Sequence, residues 1–212
     1  MSRFISLRAS IGGFVGIIAS YSAGFILMPI ESAAIVAPMG ASAVLAFGVP
    51  ASPLATPRAV ILGNVLSATI GVIVSLIPDV PLLIACALSV GLAIAAMNAS
   101  KSLHPPGGAS ALTATLLHPG NHDLTTGFLF PFVPVGLNAV ALTIAAIAYH
   151  RITGHTYPHR PQDVEASTVI QNYFTREDIY NALQSMPDTL DVEPGDIEQL
   201  LAIIDKNKCD LK

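Results

Sequence analysis

The chain has 212 residues, 52% of them hydrophobic and only 11% charged, with a formal net charge of -4. That usage is far from ordinary soluble composition and points to lipid as the solvent. No basic stripe, aromatic-rich groove or zinc-finger spacing is present, which sets nucleic-acid binding aside.

The charges are unevenly spread. Residues 1–150 carry seven of them, Arg3, Arg8, Glu31, Arg58, Asp79, Lys101 and Asp123, and the other 17 fall in residues 151–212. The chain therefore reads as a membrane domain over residues 1–150 followed by a wet tail over 151–212. Cys86 and Cys209 lack CxxC spacing, so no disulfide framework is expected. The first apolar stretch is long for the core of a cleavable signal, and further stretches follow it, so it is read as a retained span.

In chain order, residues 9–28, 59–77, 82–99 and 126–149 approach the roughly 20 apolar residues that a helix needs to cross a bilayer. Two shorter apolar segments, 33–49 and 104–118, are broken by proline and glycine near their starts. Pro38-Met39-Gly40-Ala41-Ser42-Ala43-Val44-Leu45 and Pro106-Gly107-Gly108-Ala109-Ser110-Ala111-Leu112-Thr113 match at five of eight positions with an offset of 68 residues. The same offset lays the first long span on the third and the second on the fourth, giving halves at about 1–77 and 78–150. Asn64 and Asn138 then correspond if a short gap is allowed.

Whether the broken segments cross decides the topology. If they re-enter, there are four crossings, and Arg58 and Lys101 lie outside. If they cross, there are six, and Arg3, Arg8, Arg58, Lys101, Arg151 and Arg160 share the inner face while Glu31, Asp79 and Asp123 share the outer one. The positive-inside rule favours six. The expected fold is an all-α polytopic membrane helical bundle, with four full spans plus two broken half-helix segments arranged as an inverted 3+3 repeat. Both termini are then cytoplasmic.

Irregular backbone at membrane depth survives only where protein or a watery cavity covers it. Leu103-His104-Pro105-Pro106 must be extended ahead of a helix, and Ala37-Pro38 repeats the device. Each half-helix would then open with free N–H groups, at Gly40, Ala41 and Ser42 in one half and from Gly107 and Gly108 through Ala109 to Ser110 in the other. A helix N-terminus attracts anions, and Gly107-Gly108 would admit one close to the backbone. Ser42, Ser110 and Thr113 offer hydroxyls, and Pro38, Pro105 and Pro106 shape the entry. The competing reading is that Gly-Ala-Ser-Ala runs simply let membrane helices pack closely. His104 is either an interfacial histidine bonded to backbone or a residue that contacts ligand or relays protons. Asn64, Asn98 and Asn138 are helix-to-helix amides or solute ligands, while Arg58 and Lys101 draw anions to the mouth or set topology. His104, His118 and His122 lack a carboxylate or thiolate at metal-ligand spacing, so neither a metal nor another cofactor is expected.

The run from Leu103 through His104-Pro105-Pro106-Gly107-Gly108-Ala109-Ser110 to Leu112 resembles the signature of the HPP family, named for its His-Pro-Pro motif. Ala37 to Leu45 and Phe47 to Arg58 are similar to that family's other hallmark run. The resemblance covers about residues 9–150. It implies an integral protein of the bacterial inner membrane, usually described with four spans, and for photosynthetic members a role in nitrite transport.

In the tail, a helix is expected from Thr175 as N-cap with Asp178 three residues on, and another from about Pro194. Together they bury too little for an independent domain, and are expected to pack on the membrane part, on each other or on a neighbouring subunit. Asp188, Asp191 and Asp196 lack EF-hand spacing. No nucleophile–base pair or acidic dyad lies in the spans, so no enzyme is expected. The functional expectation is a transporter or channel for a small inorganic anion, with an anion-binding sensor or scaffold as the alternative. Gly12, Gly13 and Gly16 fit either close internal packing or a homo-oligomer.

Overall fold

In the computed structural model the protein is described at residues 3–27, 35–117, 124–158, 175–185, 192 and 194–209. Glu31, His118, His122, Asp123, Arg160, Asp188 and Asp191, named above, lie outside these residues. The chain divides into two compact units, residues 1–158 and 159–212.

Within the first unit, α1 spans Arg3–Leu27, α2 spans Pro38–Ala43, α3 spans Asn64–Ser75, α4 spans Leu82–Ala99, α5 spans Pro105–Leu117, α6 spans Leu124–Leu129 and α7 spans Leu137–Ile152. Among the described residues every regular element is helical. Among the described residues three helices are long and apolar enough to cross a membrane, Leu7–Leu27, Leu82–Ala99 and Gly127–Ile152. The expected second long span is a shorter apolar helix, Ala59–Ser75. It stops where Leu76 caps it ahead of Ile77-Pro78-Asp79, since a proline cannot extend the helix. Pro38–Gly48 is likewise a short apolar helix.

Among the described residues three stretches are wound in wider π-helical turns: Val44–Gly48 at the end of α2, Ala59–Gly63 leading into α3, and Pro131–Gly136 leading into α7. The last contains Pro131 and Pro134, whose missing N–H groups prevent a regular ladder. Such single wide turns commonly sit where a helix is re-aimed. α4 ends in a Schellman motif, with Ser102 N–H on Met97 O (2.9 Å) and Lys101 N–H on Asn98 O (3.1 Å). α7 ends the same way, with His155 N–H on His150 O (2.8 Å) and Gly154 N–H on Arg151 O (3.3 Å). The left-handed position is Gly154 in the second motif (φ 72°) and Lys101 in the first (φ 52°).

Small residues set how closely the helices approach. A Cβ on Gly63 would lie 2.7 Å from His104 Cβ, and one on Gly71 would run into Ala111 O and Ala114. α5 therefore runs alongside α3 in the same direction. Gly12 and Gly16 of α1 face Phe47, Tyr149 and Leu142, whereas Gly13 points into open space. Gly12 and Gly16 therefore serve packing inside the unit. Tyr149 OH donates to Arg8 O (2.9 Å) and Ser20 Oγ to Asn138 O (2.7 Å), so α1 and α7 are antiparallel neighbours.

One end of the unit gathers the cations. Arg58 Nη2 donates to Ser100 O (2.9 Å), which brings Arg58 beside Lys101. His150 bonds Ala46 O (2.9 Å) and Tyr157 OH donates to Ala55 O (2.7 Å), so the ends of α7 and of the α2 segment meet the 49–58 turn there too. Arg8 joins them through Tyr149. Asp79 lies beyond the far end of α3, in the turn to α4. Outward faces carry large apolar side chains such as Phe14, Phe25, Leu83 and Ile144, the surface that lipid covers.

In the second unit α8 spans Arg176–Gln184 and α9 spans Pro194–Cys209, and the two pack on each other. Thr175 caps α8 as expected, Asp178 N–H donating to Thr175 Oγ1 (3.1 Å) while Asp178 accepts from Thr175 N–H (2.7 Å). Ile179 and Ala202 are the buried apolar contacts.

Candidate functional site

The two broken segments meet at a buried polar cluster. Ser42 from α2, Asn64 from the start of α3, and His104 and Ser110 from the second segment are all fully buried, at 0% exposure. His104 Nδ1 lies 2.8 Å from Leu54 O, and His104 Nε2 lies 2.9 Å from Ser42 Oγ. Asn64 Nδ2 donates to Ser42 Oγ (3.2 Å) and to Val60 O (2.8 Å), and Ser110 Oγ donates to Asn64 Oδ1 (2.6 Å).

These partners assign every proton. The Leu54 carbonyl can only accept, so Nδ1 of His104 carries a hydrogen. In the neutral ring Nε2 then accepts, and Ser42 must donate to it. Ser42 Oγ is left to accept from Asn64, whose Oδ1 accepts from Ser110. The result is a head-to-tail chain from Ser110 through Asn64, Ser42 and His104 to Leu54 O. A fully satisfied buried network of this kind is rigid and specific, whereas loss of one member strands the others.

The backbone around the cluster is folded by its prolines. Pro105 and Pro106 begin α5 without N–H groups, and the N–H of Gly107 donates to His104 O (2.8 Å). Pro38 begins α2, and the N–H groups of Met39 and Gly40 donate to Val36 O and Ala37 O, each at 3.0 Å. The expected free N–H groups at Gly40 and Gly107 are therefore taken up in tight turns of their own segments. Val36 N–H, just upstream, donates to Asn138 Oδ1 (3.0 Å).

Of the other residues singled out in the sequence, Pro106 and Gly107 are buried beside the cluster. A Cβ on Gly107 would lie 2.8 Å from Ser67 Oγ and 2.9 Å from Gly63 O, so this glycine admits α3 to the first turn of α5. Gly108 is half-buried, with Val90 Cγ1 3.9 Å from a Cβ built there. Asn138 is fully buried but belongs to a separate clamp: its Nδ2 donates to Ser20 O (3.2 Å). Pro38 is buried and Thr113 half-buried, while Ala41, Asn98, Pro105 and Ala109 are exposed on the outer surface. Gly40 lines an apolar cleft of about 340 Å³ between α1 and α2, together with Gly13, Phe14 and Val44, away from the polar cluster. Arg58 and Lys101 sit exposed at the basic end.

Two contributors escaped the sequence reading. Leu54 takes part through its carbonyl, which no side-chain pattern announces. Ser67 is fully buried next to Gly107, and its hydroxyl has no hydrogen-bond partner. Its spacing of three residues from Asn64 puts it on the same face of α3, the one signal available beforehand. Among the described residues no group of His, Cys, Asp or Glu is arranged to hold a metal ion.

Comparison with known proteins finds transmembrane relatives. Over 110 residues, half of its length, the chain is 43% identical to a transmembrane protein of Dictyostelium discoideum, covering 34% of that protein. A second transmembrane protein of the same organism is 40% identical over 122 residues, 56% of the chain and 42% of the relative. The chain thus spans well under half the length of these curated relatives. No solved structure matches it. The family described as HPP, transmembrane region, matches residues 1–158, the whole first unit, and the chain is a multi-pass integral membrane protein belonging to that family.

Proposed function

We propose that this protein carries a small inorganic anion, nitrite by the family resemblance, across the bilayer, and that the Ser42–Asn64–His104–Ser110 cluster is where the anion pauses. The observation that carries this reading is the cluster itself. An ionisable side chain buried within a membrane bundle is expensive and marks a candidate solute or proton pathway, and here both broken segments contribute to the cluster around His104. No covalent chemistry forms part of the reading.

The arrangement of helices supports an inverted 3+3 repeat with six crossings. In that scheme α1, α2 and α3 with their π-helical extensions correspond to α4, α5 and α7. α4 lies against α3 as α1 lies against α7, and Ser42 and Ser110, equivalent by the repeat, both bond Asn64. Arg8, Arg58, Lys101 and Arg151 at one end give a charge asymmetry that supports a cytoplasmic side for that end and for both termini, in a bacterial inner membrane. Alternating exposure of a midplane site by rocking of one half on the other suits this architecture.

A second reading, an anion sensor or scaffold without flux, is favoured by one observation: the cluster is closed, with each member at 0% exposure. Uptake of nitrite, nitrate, chloride, phosphate and bicarbonate into proteoliposomes separates the two. Flux of one anion, lost on Ser42→Ala in a folded protein, supports the transporter. Saturable binding without flux supports the sensor.

A further inference from the structure

The cluster holds a titratable group with no counter-charge. His104 is fully buried, with Leu54 O from the 53–55 turn and Ser42 Oγ from α2 as its hydrogen-bond partners and Gly63, the residue ahead of α3, against its Cβ; Gly63 in turn faces Ser102 O and Met97 Sδ near the end of α4. None of these neighbours is acidic or basic. The nearest cations by chain position are Arg58 and Lys101, exposed at the basic end. Among the described residues of the first unit Asp79 is the sole carboxylate, beyond the opposite end of α3. An imidazolium enclosed in this way requires an anion beside it, because an unpaired buried charge is strongly destabilising.

The proton chain couples the two events. When Nε2 takes a proton it becomes a donor, and Ser42 Oγ must accept from it. Ser42 already accepts from Asn64, so its own O–H is released from Nε2 as a free donor. Protonation therefore creates a positive charge and an unpaired hydroxyl donor at the same point. Ser67, buried beside Gly107 with its hydroxyl unpartnered, is a second available donor on the same face of α3 as Asn64. In the neutral state neither the charge nor the Ser42 donor exists.

We infer that His104 and Ser42 bind one proton and one monovalent anion together, so that the solute crosses as an electroneutral pair. This deepens the transport reading above and rests on it. By linkage, the anion raises the site's proton affinity by the same factor as the proton raises its anion affinity.

The test counts protons and anions on the full chain. Nitrite is added to purified protein in weakly buffered detergent solution containing a pH dye, with anion binding followed separately by calorimetry. The expected result is one proton taken up per nitrite bound. His104→Gln, which can still donate to Leu54 O and accept from Ser42, is expected to lose the proton uptake and most of the binding while keeping the wild-type melting temperature. In proteoliposomes, with protein-free vesicles subtracting passive nitrous acid entry, an inward pH gradient should drive uptake, and an imposed membrane potential of either sign should leave it unchanged. Binding without proton uptake, or potential-driven flux indifferent to the pH gradient, overturns the coupling and leaves transport standing. Absence of both binding and flux overturns the coupling and the transport reading together.

Discussion

Ser20 and Asn138, 118 residues apart, exchange two hydrogen bonds: the serine hydroxyl donates to the asparagine carbonyl at 2.7 Å, and the asparagine amide returns to the serine carbonyl at 3.2 Å. The remaining amide oxygen accepts from Val36 N–H. One side chain thus ties α1, α7 and the entry to α2. Replacing Asn138 by Leu leaves a buried N–H and a buried carbonyl without these partners, each a loss of about 1–3 kcal/mol in a soluble core and less in a bilayer, where membrane pairs average roughly 0.6 kcal/mol. Thermal unfolding in detergent should show a clear loss for Asn138→Leu and a smaller one for Ser20→Ala.

Gly71 faces the backbone of Ala111 without room for a methyl group. Because a carbonyl cannot rotate away as a side-chain tip can, Gly71→Ala must push α3 from α5, at a cost of about 1–3 kcal/mol for overpacking. Gly13→Ala meets open space and should leave the melting temperature within error. Equal effects from the two substitutions would refute the packing of α3 on α5.

Lys101 occupies the left-handed position of the Schellman motif that ends α4. A side chain there costs roughly 1–2 kcal/mol relative to glycine. Lys101→Gly should therefore stabilise the folded protein by about 1 kcal/mol while removing a cation from the basic end. If anions are drawn to that end, the same variant should show slower uptake at low ionic strength and wild-type uptake at high salt.

Arg58 reaches Ser100 O, so positions 58 and 101 share one end of the bundle, and position 79 lies beyond the other. Single cysteines at 58, 101 and 79, in a chain lacking Cys86 and Cys209, should sort under an impermeant thiol reagent in right-side-out vesicles. Positions 58 and 101 should be protected and position 79 labelled. Labelling of 58 and 79 from the same side would exclude six crossings.

In the tail, hydrogen bonds from the Thr175 hydroxyl, and then from its backbone N–H, hold the Asp178 carboxyl below its ordinary range. A carboxyl whose folded pKa is depressed adds stability above its unfolded value and loses it as pH falls through the folded one. Amide exchange at residues 176–179 should accelerate on acidification below the usual aspartate range. Thr175→Ala should produce the same fraying near neutral pH, where the carboxylate remains charged.

The membrane character, the cap at Thr175 and the broken starts at Pro38 and Pro105 were legible because they rest on local causes: hydropathy, a side chain reaching three residues, a ring without an N–H. The matching runs at 38–45 and 106–113 are legible as sequence identity, and they single out Ser42 and Ser110. The length of the segment from Ala59 was overestimated, because hydropathy runs through Ile77 whereas Pro78 ends the helix near Ser75. Asn98 and Asn138 looked alike as intramembrane amides, yet one faces outward and the other clamps three segments. Periodicity is weak when nearly every residue is apolar, so it cannot tell which side of a membrane helix turns inward.

By itself the sequence determined that this chain enters a bilayer, that two proline-led segments interrupt its helices, and that its cations are segregated along the chain. Only the tertiary structure decided that His104 meets Ser42 across 62 residues, that Leu54 lends a carbonyl, and that Ser67 is buried with its hydroxyl free. The physical reason is range: solvent preference and backbone restriction act over a few residues, whereas a hydrogen bond between distant segments exists only after glycines at 63, 71 and 107 have let the helices close.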